Sequence, residues 1–395
     1  MLTHDALSLP EGRGIPRKMM SIDWHFPRTD LTDKVLAAYD SGLSNTLTLF
    51  APRRMGKTEF VLYDLIPGAA KRGYAPVYVS FWDNKDDPAA ALLQAINTAL
   101  TESSWLERAT NKLAGGRVSL RATASGAIEG TVEVNKGEPK APDSDTLATL
   151  RTRFRSLLKK HDRILLCLDE VQHLATKPAF ENLIFFLRTL LDENRESIRV
   201  MYTGSSRDDL RKLFSKRKAA LFQSSSQIDL PELGSAFVNH MRDCYMEASK
   251  VEFSLHDGLV AFQVLNHVPS QFRSLLEIMI LNGYTDIVNT AALERDSQIE
   301  DSNYPNTWRS LKSIDQAILN WIAHGGGGLY QDHCRKFVAN HLGIDTSQVE
   351  THTIQNSINR LRGEHLSLVY QGYYEFEDAN FRDWIQVNIE QPDSN

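Results

Sequence analysis

The 395-residue sequence predicts an α/β protein: a parallel sheet with helices on both faces, then an all-helical segment, then three helices and a hairpin. Three observations carry that expectation. Apolar runs of strand length alternate with helical stretches through the first 230 residues. From Gly234 onward the period changes to a helical one. Near the C-terminus two short β-prone runs reappear, separated by Gln371-Gly372.

Residues 1–45 lead into this arrangement. Met1 to Pro16 carries acids and prolines and lacks the apolar core of a signal peptide. Residues 30–39 have helical periodicity and an acidic start.

Residues 46–233 are the expected sheet-bearing core. Thr46-Leu47-Thr48-Leu49-Phe50 reads as an apolar strand, Ala51-Pro52-Arg53-Arg54-Met55-Gly56-Lys57-Thr58 as a tight loop, and Glu59-Phe60-Val61-Leu62 as the helix that follows. A second strand covers 75–81 and a helix 88–106. Residues 117–134 alternate on either side of Ser125-Gly126, which predicts a β-hairpin insertion at about 115–137. That hairpin either faces solvent or touches a partner, and a polar, proline-containing linker (136–144) follows it. The run 163–168 is apolar enough for a strand buried on both faces. Another strand candidate spans 197–202, and 227–230 is the last, stopped by Pro231. Between them, 210–221 is a basic amphipathic helix.

Residues 234–300 read as a helical lid, with one helix ending and another starting around Asn266-His267-Val268-Pro269. The polar stretch 286–306 looks like a boundary. Residues 301–395 then predict helices at 314–323, 330–341 and 347–364, and strands at 366–370 and 373–376. Three helices and a hairpin wing make a winged-helix domain.

The chemistry is concentrated at the strand ends. The loop fits the spacing G-x-x-x-x-G-K-[ST], with Ala51 in place of the first glycine. Such a loop curls backbone N–H groups round a phosphate at a helix N-terminus; Lys57 would reach the β/γ-phosphates and Thr58 would ligate Mg²⁺. At the end of the buried run, Asp169 would hold the Mg²⁺ through water and Glu170 would polarise the attacking water. Thr203-Gly204-Ser205-Ser206-Arg207 ends the next strand. Thr203 and Ser205 are candidates for the γ-phosphate or the attacking water, and Arg207 could supply positive charge to the transition state. The alternative for Arg207 is a polar turn at the sheet edge. Arg211 or Arg217 could reach a neighbour's nucleotide in an oligomer, or simply lie on a solvated face.

Composition narrows the class. With 42% hydrophobic residues, 24% charged and a net charge of −6, the chain is no basic nucleic-acid coat, although a local basic face is allowed. No segment approaches eighteen consecutive apolar residues, so no membrane partner is expected. Cys167, Cys244 and Cys334 have no metal spacing, and a reducing cytoplasm is the expected compartment.

At these residues the chain resembles a known group. Ala51-Pro52-Arg53-Arg54-Met55-Gly56-Lys57-Thr58 is similar to the G-P-R-R-x-G-K-[ST] loop of archaeal-type P-loop ATPases, a branch near AAA+ and STAND proteins. In that family the Asp-Glu strand, the Thr-Gly-Ser-Ser strand tip and a proline-marked lid follow in this order. A C-terminal winged helix with an aromatic, acidic signature comes next, matched here by Tyr374-Glu375-Phe376-Glu377-Asp378 and Phe381-Arg382-Asp383-Trp384. The resemblance covers residues 22–386. It implies a P-loop NTPase fold and an ATPase using ATP and Mg²⁺ that switches between nucleotide states by moving its lid and winged helix. It also implies that Arg273, near the lid proline, is a second phosphate sensor.

Two outlets for such a switch are open. One is control of a protein partner or of self-assembly. The other is a DNA-binding ATPase of the origin-recognition or transposition kind, with the winged helix on duplex DNA. Residues 347–364 offer Gln348, His352, Gln355, Asn356, Asn359, Arg360 and Arg362, but Glu350 and Glu364 dilute them and the wing tip is uncharged. That balance favours a protein partner.

Overall fold

The computed structural model describes residues 22–101, 138–205, 210, 213–214, 225–370 and 372–390. The expected hairpin insertion, Arg207, Arg211 and Arg217 lie outside the described residues.

A strand that is apolar along its whole length needs cover above and below, and the sheet is built to give it. Five parallel strands lie in the order β2-β3-β4-β1-β5: β1 (Thr46–Phe50), β2 (Ala75–Ser80), β3 (Ile164–Asp169), β4 (Ile198–Gly204) and β5 (Ser226–Asp229). Every residue of β3 and β4 is buried. Alternation sends Ile164, Leu166 and Leu168 to one face, against α3 (Pro88–Thr101), α4 (Ser144–Lys160) and α5 (Glu181–Glu193). Leu165 and Cys167 go to the other, against α1 (Thr29–Asp40) and the long helix α2 (57–71), whose middle turn is π-type. The edge strand β5 has one partner and is mostly exposed.

Register then places the chemistry. Leu168 pairs with Tyr202 and Phe50 with Gly204, so the loop after β1, the acids ending β3 and the small residues ending β4 share one edge of the sheet. In an open parallel sheet this carboxyl edge is where ligands bind.

Past the sheet, α6 (Ser235–Ser249), α7 (Leu255–Val264), α8 (Pro269–Asn282) and α9 (Ile287–Asp301) enclose an aromatic core of Phe237, Tyr245, Phe253, Phe262 and Phe272. The helix α8 starts on Pro269, after Asn266 and His267 in the left-handed region break the preceding turn. The stretch read as a polar boundary is instead mostly helix α9. Asp286 caps it by accepting the Asn289 N–H, and Ile287, Thr290 and Ala291 bury one narrow stripe at i, i+3, i+4. Three buried positions in fifteen left too little periodicity to recognise.

A separate core joins α10 (Tyr304–Ser310), α11 (Ser313–Ala323), α12 (Asp332–Leu342), α13 (Thr351–Leu361), the antiparallel pair β6 (Leu366–Tyr370) and β7 (Tyr373–Phe376), and α14 (Ala379–Asn388). The helix expected over 347–364 is shorter, because Glu350 and Arg362 adopt extended backbone at either end of α13.

Arg360, expected on a ligand-facing surface, folds back onto α11. Its guanidinium is 2.6 and 3.2 Å from the two oxygens of Asp315, and Ser357 also donates to that carboxylate. Asp315 is buried, so removing the arginine strands a charge. Arg360→Ala should cost about 1–3 kcal/mol, toward the low end because the arginine is 39% exposed, read as a lower urea midpoint. An unchanged midpoint would make the pair ornamental.

Candidate functional site

The loop between β1 and α2 owes its path to two residues in the left-handed region, Arg54 (φ 65°) and Gly56 (φ 88°). Ala51 is not among the positive-φ residues; it packs into the core below the sheet edge, so alanine replaces glycine there without strain. Pro52, Arg53 and Arg54 are exposed at the tip. The Arg53 guanidinium lies 5.4 Å from the centroid of Trp82, which Lys85 approaches from 5.0 Å. The Met55 carbonyl accepts from Arg28 at 3.0 Å, and Arg28 also donates to the Pro231 carbonyl, pinning the loop to the end of β5. Burial draws the Arg28 guanidinium below its ordinary value, against the pull of Asp64 and Glu59.

Lys57 opens α2 and turns inward, only 5% exposed. Its ammonium donates to the carbonyls of Ala51 (2.7 Å) and Pro52 (2.8 Å). Burial lowers its pKa, while the Glu170 and Asp169 carboxylates pull the other way. Thr58, the next residue, is exposed at the helix mouth and donates to Asp169 Oδ2 at 2.8 Å.

Asp169 is held on every side. Tyr78, two residues before the end of β2, donates to Oδ2 at 2.8 Å, and Thr203 donates to Oδ1. Burial, then Asp169 itself, pushes the Tyr78 phenol far up, so the phenol stays a donor. Glu170 adopts the left-handed conformation (φ 53°), a sharp turn that a glutamate takes only under constraint. Its N–H reaches Thr203 Oγ1 at 3.3 Å, and its Oε2 accepts from Ser205 at 2.9 Å and from Gln172. Glu170, Thr203 and Ser205 are all buried.

Arg273, one turn into α8, is brought to the same edge: its guanidinium pairs with Glu59, the residue after Thr58. A half-exposed ion pair thus ties α8 to α2. Of the residues singled out in the sequence, the structure gathers Ala51 to Thr58, Asp169, Glu170, Thr203, Ser205 and Arg273. Tyr78, Gln172, Glu59 and Arg28 were missed. Only Gln172 had a usable signal, a polar residue two positions after a buried carboxylate pair; the others meet the site through tertiary contacts.

No protein-family model and no curated protein matches the sequence. Solved structures do resemble it. A Walker-type ATPase of Pyrococcus abyssi superposes with a TM-score of 0.59 at 12% identity, covering 91% of this chain and 95% of that one. The ORC2 protein of Aeropyrum pernix in ADPNP–ADP complexes gives 0.53 at 15% identity, over 87% and 89%. Its ADP form gives 0.51 at 16% identity, over 89% and 87%. At such identities the likeness is one of fold: the chain has the α/β fold of P-loop ATPases followed by a helical C-terminal region.

Proposed function

We propose that this chain binds and hydrolyses ATP and uses its nucleotide state, through the helical lid and a C-terminal winged helix, to control a protein partner or its own assembly. What supports this most is the grouping of Lys57, Thr58, Asp169, Glu170 and Thr203 at the carboxyl edge of the sheet, beside a loop whose backbone is curled at Arg54 and Gly56.

In this reading the backbone of Ala51 to Gly56 surrounds the phosphates, and Lys57 exchanges its two carbonyl acceptors for phosphate oxygens. The oxygens of Thr58 and Asp169, 2.8 Å apart, suit a small hard cation that keeps most of its waters, and so would hold Mg²⁺. Bound there, Mg²⁺ would offset charge on the β- and γ-phosphates. Glu170 takes a proton from water as its oxygen bonds to the γ-phosphorus and the bond to ADP breaks. Thr203 and Ser205 flank that position, and Arg207 would add positive charge. A carboxylate held beside the phosphate site has no function in a merely structural nucleotide site.

The lid reading rests on Arg273. A triphosphate competes with Glu59 for its guanidinium, so binding breaks or moves the tie between α8 and α2. The lid also touches the C-terminal region, because Asn266 donates to Asp383 at 3.1 Å and accepts from Arg382 at 2.9 Å. Arg273→Ala should weaken ATP binding by less than about tenfold, the typical weight of one half-exposed charged contact. It should also abolish the ATP-dependent change in hydrogen exchange along α8. An unaltered exchange response would remove Arg273 from the switch.

A protein partner is preferred to duplex DNA because part of the polar face of α13 is engaged within the C-terminal core. Arg360 is on Asp315, and Gln355 accepts from Tyr330 and donates to Asn359. Duplex binding with a steep salt dependence would reverse that preference. Among the described residues no helix is long and apolar enough to cross a membrane.

A further inference from the structure

We propose that Gln172 is a positioning residue: its side-chain amide fixes the Glu170 carboxylate for water activation, and Gly204 is what makes room for it. The inference rests on the assignment of Glu170 as the base.

Gln172 lies in the 3₁₀ turn Val171–Ala175 that follows the acids, and is 6% exposed. Its Nε2 donates to Glu170 Oε2 and lies 3.2 Å from Ser205 Oγ, which itself donates to Oε2. Carboxylate, amide and hydroxyl therefore form a closed triangle. The opposite orientation of the amide would set its oxygen against a carboxylate, so the network fixes which end faces Glu170. Both donors fall on Oε2. Among the described residues none donates to Oε1, which leaves that oxygen to accept from a water.

A glutamine side chain has three free torsions to fix, and here the end of β4 packs against its amide. A Cβ at Gly204 would sit 2.7 Å from Gln172 Oε1 and 2.7 Å from Leu210 Cδ2, with Leu210 closing the far side. Gly204 is the last residue of β4 and its φ is not in the left-handed region, so the glycine is not required by backbone conformation. The space that a Cβ would take is instead filled by the amide oxygen and by Leu210. Gln172 Oε1, with no partner among the described residues, lies buried in that cradle. Two neighbouring strand ends thus fix one oxygen of the base and leave the other for chemistry.

Misplacing a reacting group by about 1 Å can cost roughly a hundredfold in rate. Gln172→Leu keeps the volume and removes the donor; kcat should fall about ten- to a hundredfold while the Kd for Mg-ATP stays within about twofold. Gly204→Ala deletes no polar group yet crowds the amide together with Leu210, and should lower kcat in the same direction. The deciding measurement is single-turnover hydrolysis in a double-mutant cycle. Because Gln172 acts through the carboxylate, Gln172→Leu should have little further effect once Glu170→Gln is present. Equal losses in both backgrounds, or a Kd that rises in step with the loss of kcat, would overturn the proposal. Full activity in Glu170→Gln alone would instead remove the base assignment, a separate outcome read from the same cycle.

Discussion

Lys57→Ala is expected to abolish ATP binding at concentrations that saturate the parent. In the present structure the ammonium is buried at the base of the loop and, among the described residues, donates to the carbonyls of Ala51 and Pro52. Those acceptors compensate it weakly, since burial still lowers its pKa against the pull of two carboxylates. A triphosphate offers charged oxygens in their place. Charge-assisted hydrogen bonds are worth about 1.5–3 kcal/mol each, so losing two should raise Kd by roughly a hundredfold or more. The loop should survive, because its turns are set by Arg54 and Gly56 and its anchor is Arg28 on Met55 and Pro231. Calorimetric titration with ATP and a melting curve for each protein separate the two effects. Binding within tenfold of the parent would mean that phosphate is not seated on this lysine.

The second large effect is on rate alone. Glu170→Gln should keep ATP binding and slow hydrolysis by roughly two to four orders of magnitude, the usual weight of a general base. Glutamine has the shape of glutamate and can still meet Ser205 and Gln172, so the packing changes little. What disappears is the proposed proton acceptor, a group that a base mechanism uses only on the way to the transition state. Asp169 does not substitute for it. Its two oxygens already accept from Thr58, Tyr78 and Thr203, and it ends β3 facing the loop. A variant that hydrolysed at the parental rate would place the base elsewhere.

Much of this architecture was legible because burial is recorded in composition. A run such as Ile164 to Leu168 has no amphipathic option and must be central in a sheet, and the acids after it then fall at the carboxyl edge. The loop was legible because the backbone that surrounds a phosphate needs fixed spacing to Lys57 and Thr58. Side chains whose partners lie far away in the chain were not. Tyr78 reads as one more strand aromatic until β2 is known to lie beside β3. Arg360 reads as a surface cation until Asp315 is seen buried beneath it. The helix α9 was hidden for the opposite reason: its stripe is narrow, and twelve of its fifteen positions are not buried. The packing around Gly204 was not legible, since the side chains that crowd it come from the turn after β3 and from Leu210.

The most direct measurement is ATP turnover by the purified chain with Mg²⁺, with and without duplex DNA, beside Glu170→Gln under the same conditions. The expected result is slow turnover that ignores DNA and disappears in the variant while ATP still binds. Turnover that persists in Glu170→Gln would contradict hydrolysis at this site, and turnover raised by DNA but lost in the variant would move the output of the switch from a protein to the duplex.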